Sequence, residues 1–127
     1  MNMPAIINTE IDNLAIIEER LRNWASWARS TPAYRVTKSL EGRYRAPAQW
    51  EAPRPAKFID LNDALKLERA IIGVPQPYKA IIIYSLIHPY IPMQVFCRKN
   101  RVPQRDYDAM ERKAKFMVQN RARMLDR

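Results

Sequence analysis

The chain has one cysteine, Cys97, so an internal disulfide framework is impossible and a reducing cytoplasm is the expected compartment. It has one histidine, His88, and a single Cys with a single His cannot build a structural zinc site. Only two glycines occur, Gly42 and Gly73, which excludes a glycine-rich phosphate loop. No run of about 18 apolar residues is present, so no membrane-crossing helix is expected. The opening MNMPAIINTE shows no basic stretch followed by an apolar one, so no signal peptide is expected either.

Acidic residues are few and scattered. Glu10, Asp12, Glu18 and Glu19 read as a helix surface rather than the carboxylate cluster of a metal nuclease. His88 lies between an apolar run and Pro89, without a visible catalytic partner. Arg98 and Lys99 could lower the pKa of Cys97, but packing suits its position better. No enzyme and no cofactor are expected.

What the chain has is positive charge. The net charge is +9, carried unevenly: −1 over residues 1–30, +4 over 31–58, zero over 59–90 and +6 over 91–127. A polyanionic partner explains an excess confined to the middle and the end more directly than solubility does. A basic but merely solvated surface is the alternative.

The periodicity predicts an all-α fold: a small helical bundle ending in a helix-turn-helix, with a long irregular basic linker. Three segments are expected in one compact domain: a helix within 1–30, a linker over 31–58 and a helical unit over 59–127. After a loose start over residues 1–8, Thr9 caps a helix opening near Glu10. Its apolar stripe is Ile11, Leu14, Ile17 or Ile16, Leu21, Trp24 and Trp27 or Ala28, opposite Asp12, Glu19, Arg22 and Ser26. Ser30-Thr31-Pro32 ends it. A second helix starts near Asp60, with Asp60 or Asn62 as cap, and stops at Gly73. Its stripe is Leu61, Ala64, Leu65, Leu67 or Glu68, and Ile71/Ile72. The segment from Pro77 to His88 is apolar nearly all round and reads as the central buried helix, although its β-branched isoleucines also suit a strand.

The stretch Ile91 to Ala114 organises the rest. It reads as a short helix from Pro92 to Lys99, a turn at Asn100-Arg101-Val102, and a last helix from about Gln104 to Met124, opened by Pro103 at its first position. Phe96, Val102, Tyr107 and Met110 lock the angle, with Cys97 as the small residue at the crossing. Asn100 stands where an apolar residue is common, and Arg101 where a turn glycine is common. Gln104, Arg105, Asp108 and Arg112 then face outward, on the side that would enter a DNA major groove. An ordinary helical hairpin with a solvated basic side is the alternative.

The linker holds four of the chain's ten prolines and alternates basic residues with aromatics, among them Arg43, Tyr44, Arg45 and Trp50. That pattern suits nucleic-acid phosphates and bases, or an acidic protein groove. A surface loop pinned by its aromatics is the other reading.

The order of RLRNWASWARS, a basic linker, DLNDALKLERAI, and then the stretch from Val74 to Ala114 resembles the late-gene antitermination proteins of lambdoid phages. These are the Q type, whose helical domain is like sigma factor region 4. The resemblance implies a small factor that binds double-stranded DNA near a late promoter, joins bacterial RNA polymerase with its sigma factor, and makes it read through terminators. Gln104, Arg105, Asp108 and Arg112 would face base edges, while Arg98, Lys99, Arg101 and Lys113 would face phosphates. The resemblance assigns no polymerase-touching residues, but if the chain is such a factor, the basic, aromatic arm around Arg43, Tyr44, Arg45 and Trp50 should engage polymerase or nascent RNA. Two alternatives remain: a helix-turn-helix regulator, and a DNA-packaging or other interaction protein.

Overall fold

The computed structural model describes residues 3–31 and 58–127, with side chains from residue 13 onward in the first stretch. The described residues are all-helical, with no strand among them. They form α1 (Met3–Arg29), α2 (Leu61–Ile72), α3 (Tyr78–Ile87), α4 (Met93–Asn100) and α5 (Tyr107–Leu125), with a 3₁₀ turn at Gln104–Asp106 before α5. None of these helices is long and apolar enough to cross a membrane.

The first helix starts earlier than its sequence suggests. Thr9 lies inside α1 rather than capping it, and residues 3–8 are helical. Pro4 sits in the first turn, where its missing N–H costs nothing, and no breaker follows before Glu10. The helix ends as expected. Ser30 Oγ and Thr31 Oγ1 both donate to Trp27 O, at 2.7 and 2.9 Å, satisfying a carbonyl that the helix leaves open.

Asp60 caps α2, its Oδ1 accepting from Asp63 N at 3.1 Å. The cap is docked on α1 in both directions: Asn23 Nδ2 donates to Asp60 O at 3.0 Å, and Asp60 N donates to Asn23 Oδ1 at 2.9 Å. The outer half of the expected α2 stripe is displaced. Ala64, Leu67, Ala70 and Ile71 are buried, whereas Leu61, Leu65 and Ile72 are exposed. Two overlapping apolar stripes lie on this helix, and only the one containing the small Ala64 and Ala70 lets α1 approach closely. On α1 the buried residues are Ile17, Leu21, Trp24, Ala25 and Ala28; Ile16 is exposed, and Ser26, expected outside, is buried. Ser26 meets burial by donating to Arg22 O at 3.1 Å.

Gly73 ends α2 without a left-handed turn, at φ −82°. Its missing side chain serves space instead. A Cβ there would collide with the Arg121 guanidinium, whose Nε donates to Ala70 O at 3.0 Å. The basic side chain from α5 thereby satisfies an open carbonyl at the end of α2. The Ile81–Ile83 run is helical, as chosen over a strand: Ile81 and Ile82 are buried and Ile83 is partly so.

Two cores result. The larger joins α1, α2, α3 and α5 through Ile17, Leu21, Trp24, Leu67, Ile71, Ile82 and Val118. The smaller is aromatic and holds α4: Ile81, Tyr84, Ile91, Phe96, Cys97, Val102 and Tyr107. Tyr84 stacks on Phe96 with centroids 4.1 Å apart, and Tyr107 meets both rings edge-on at 6.1 and 6.2 Å. Tyr84 Oη donates to Ile91 O at 2.7 Å, and Tyr107 Oη to Glu111 Oε2 at 3.0 Å, so neither buried hydroxyl is left open. At the far end of α5, Asp126 accepts from Arg20 of α1 and Lys66 of α2, at 3.2 and 3.0 Å. Arg20 also pairs with Asp63 at 2.7 Å. These contacts hold the last turns in place. They also hold the Asp126 carboxyl below its ordinary pKa, Lys66 first and then Arg20.

Phe96 is 4% exposed at the centre of the smaller core. Phe96→Ala should cost roughly 3–5 kcal/mol. A thermal melt superimposable on wild type would contradict the packing described.

Candidate nucleic-acid interface

The short helix α4 begins after Pro92, whose extended backbone directs its carbonyl to Val95 N and Phe96 N at 3.0 and 3.1 Å. It stops because Arg101 turns left-handed, at φ 56° and ψ 42°. The Arg101 and Val102 N–H groups converge on Cys97 O, and Val102 packs in the same cluster as Cys97. Arg101 thus performs the turn expected of a glycine there. Asn100, at the position where an apolar residue is common, is half-buried and donates through Nδ2 to Phe96 O at 3.0 Å.

Pro103 does not open the last helix. It is extended, at ψ 126°, and precedes the 3₁₀ turn, with Asp106 N donating to Pro103 O at 2.9 Å. Regular α-helix begins only at Tyr107, three residues later than read from the sequence. The reason is packing: the Tyr107 ring must reach between Tyr84 and Phe96, and the tighter turn brings the backbone there. Gln104 and Arg105 consequently project from the 3₁₀ turn, while Asp108 and Arg112 lie one turn apart on α5. All four are exposed.

The candidate phosphate residues Arg98, Lys99, Arg101 and Lys113 are exposed as well. Arg98 and Lys99 fall in the last turn of α4, where cations favour the helix dipole. Lys113 holds its ammonium over the Tyr78 ring, 5.4 Å from the centroid. Arg43, Tyr44, Arg45 and Trp50 lie outside the described residues. Cys97 is buried and burial pushes its thiol pKa up, so it packs as a small hydrophobe. His88 Nδ1 lies 3.1 Å from Tyr90 Oη.

The flank of this face was not read from the sequence. Helix α1 runs beside α5, and Asp108, Glu111, Arg112 and Lys115 line a cleft with Leu14 and Glu18. Lys115 Nζ sits 3.5 Å from carboxylate oxygens of both Glu18 and Glu111. The Glu111–Lys115 spacing of four was available as a signal; the partner Glu18, 97 residues away, was not. A second cleft of about 210 Å³ shares Glu18 and Lys115 and continues between α1 and α3, past Arg22 and Arg29. Tyr107 and Tyr84 are held neutral, their pKa values raised first by burial, so the surface charge comes from the Lys, Arg, Asp and Glu side chains.

No family model, curated protein or solved structure matches the chain.

The left-handed Arg101 yields a test of the turn. A non-glycine residue in this conformation costs about 1–2 kcal/mol, part of which glycine returns as chain entropy. Arg101→Gly should therefore stabilise the protein by roughly 0.5–1 kcal/mol, read as a higher denaturant midpoint at unchanged slope. A lower midpoint would show that Arg101 does not occupy this conformation in solution.

Proposed function

We propose that this protein is a DNA-binding antitermination factor: it seats a helix-turn-helix on DNA near a promoter and joins bacterial RNA polymerase, which then reads through terminators. One observation carries the reading: Gln104, Arg105, Asp108 and Arg112 are together exposed on an element whose start is locked by Tyr84, Phe96 and Tyr107. A groove-reading element needs free polar side chains on a rigid support, and α4 with α5 supplies both. The charge of +6 over residues 91–127 gives the electrostatic attraction to phosphate.

Within this reading Gln104, Arg105, Asp108 and Arg112 meet base edges, and Arg98, Lys99, Arg101 and Lys113 meet phosphates. The proline-rich basic segment with Arg43, Tyr44, Arg45 and Trp50 supplies contacts to polymerase or nascent RNA. A conventional regulator that binds a palindrome as a dimer is the second reading. The exposed Leu61, Leu65 and Ile72 favour it, since they share one side of α2 and could meet a second copy.

Arg105 matches the two major-groove acceptors of guanine. On a site selected from random duplex, Arg105→Ala should cost about 1–3 kcal/mol and relax preference at one base pair. Equal losses on selected and random DNA would place Arg105 on phosphate instead.

The antitermination step is separable from DNA binding. Arg43→Glu with Arg45→Glu should leave specific binding within a few-fold, because the groove-facing set is untouched, yet strongly reduce read-through in single-round transcription past a terminator. Loss of both together would put the segment in the DNA interface. Full read-through by the variant would refute its role at polymerase.

A further inference from the structure

The cleft between α1 and α3 has an apolar floor of Leu21, Ala25, Leu86 and Pro89. Its charged residues are Glu18, Arg22, Arg29 and Lys115. Glu18 is engaged by Lys115, which leaves the two α1 arginines without a carboxylate in the cleft. Arg22 is exposed. Arg29 is half-buried: its Nη2 donates to Leu86 O at 2.6 Å, while its Nε is enclosed with no acceptor. A guanidinium placed so, with one carbonyl for a partner, has donors and charge to offer an anion. Burial lowers its pKa, the cost of holding a cation there without a counter-ion.

The position of the cleft identifies the anion. It shares Glu18 and Lys115 with the cleft that holds Asp108 and Arg112, the flank of the proposed groove-reading face. A duplex whose major groove receives this face must carry its phosphate backbone across one of the flanking helices. On α1, Arg22 and Arg29 are seven residues apart, on one side of the helix and about 10 Å along its axis, a span that covers successive phosphates of one strand.

We propose that this cleft is a second phosphate seat, in which Arg22 and Arg29 grip the backbone of the same duplex that α5 reads. The seat rests on the DNA-binding reading. It makes α1 part of the interface and widens the footprint beyond the helix-turn-helix. The apolar floor faces the deoxyribose carbons and keeps the local dielectric low, which strengthens the arginine contacts.

The probe is a 25-base-pair duplex of random sequence, titrated with the full chain by fluorescence anisotropy over a range of potassium chloride concentrations. Arg22→Gln removes an exposed side chain and should lower the slope of log K against log salt by about 0.9; with Arg29→Gln added, the fall should be about 1.8. Arg29→Lys keeps the charge and should restore most of the second increment. Circular dichroism melts of each variant separate a folding defect from a lost contact, and Arg22→Gln alone suffices if Arg29→Gln melts early. An unchanged slope for Arg22→Gln, with wild type binding normally, overturns the seat and leaves the DNA reading standing. If that variant instead loses polymerase association, the cleft takes an acidic protein segment, which also overturns it. Wild type failing to bind any duplex would refute the DNA reading itself.

Discussion

The stack of Tyr84 on Phe96 is the contact that fixes the orientation of α4 and of the start of α5. Helix α4 has eight residues, too few to be stable alone, and its backbone neighbours lie chiefly in the 3₁₀ turn. It keeps its place because Phe96 enters the space between Tyr84 and Tyr107. Tyr84 then fixes the connector from α3, through its bond to Ile91 O, and Tyr107 fixes the start of α5. Three rings thus determine where Gln104, Arg105, Asp108 and Arg112 stand. This core is aromatic and apolar, and the charged Glu111 meets it only at the Tyr107 hydroxyl, so the arrangement depends little on salt, whereas phosphate binding by the surrounding basic residues would depend on it.

The other end of α5 is held by a different kind of contact. Arg20 reaches Asp63 and Asp126, Lys66 reaches Asp126, and Arg121 reaches the carbonyl of Ala70. Single exposed pairs of this sort contribute little, but Arg20 is only 18% exposed and joins three helices at once. The nineteen residues of α5 are therefore clamped aromatically at the start and electrostatically at the end, with Ala114, Val118 and Ala122 in the larger core between. A long helix held at both ends can present its middle turns to a partner without bending away.

Much of this was legible in the sequence, because local rules decided it. Asp60 before an apolar run gave a cap, Gly73 a stop, and the spacing of Phe96, Cys97, Val102 and Tyr107 gave the smaller core. The departures have tertiary causes. Leu61 and Leu65 fit the α2 period as well as Leu67 does, and only the close approach of α1 on the alanine side decides between them. Pro103 is well suited to open a helix, yet the reach of Tyr107 into the aromatic core moved that opening to residue 107. Gly73 looked like a conformational device and proved to be a space for Arg121, a residue 48 positions away that no local pattern connects to it.

The charge pattern shows where reading by segment stops being informative. Residues 1–30 sum to −1, which by itself argues against a polyanion partner for that helix. Folding redistributes the charge by face. The pairing of Glu18 with Lys115 takes up one of the acidic residues, Arg20 is spent on Asp63 and Asp126, and Arg22 and Arg29 are left on the side that adjoins Arg112. An electrostatic surface depends on which charges are already neutralised by neighbours, and those neighbours lie 43 to 106 positions away along the chain. Segment totals cannot contain that information; the packing of α1 across α5 does. A helix that is acidic on average can therefore carry a basic edge.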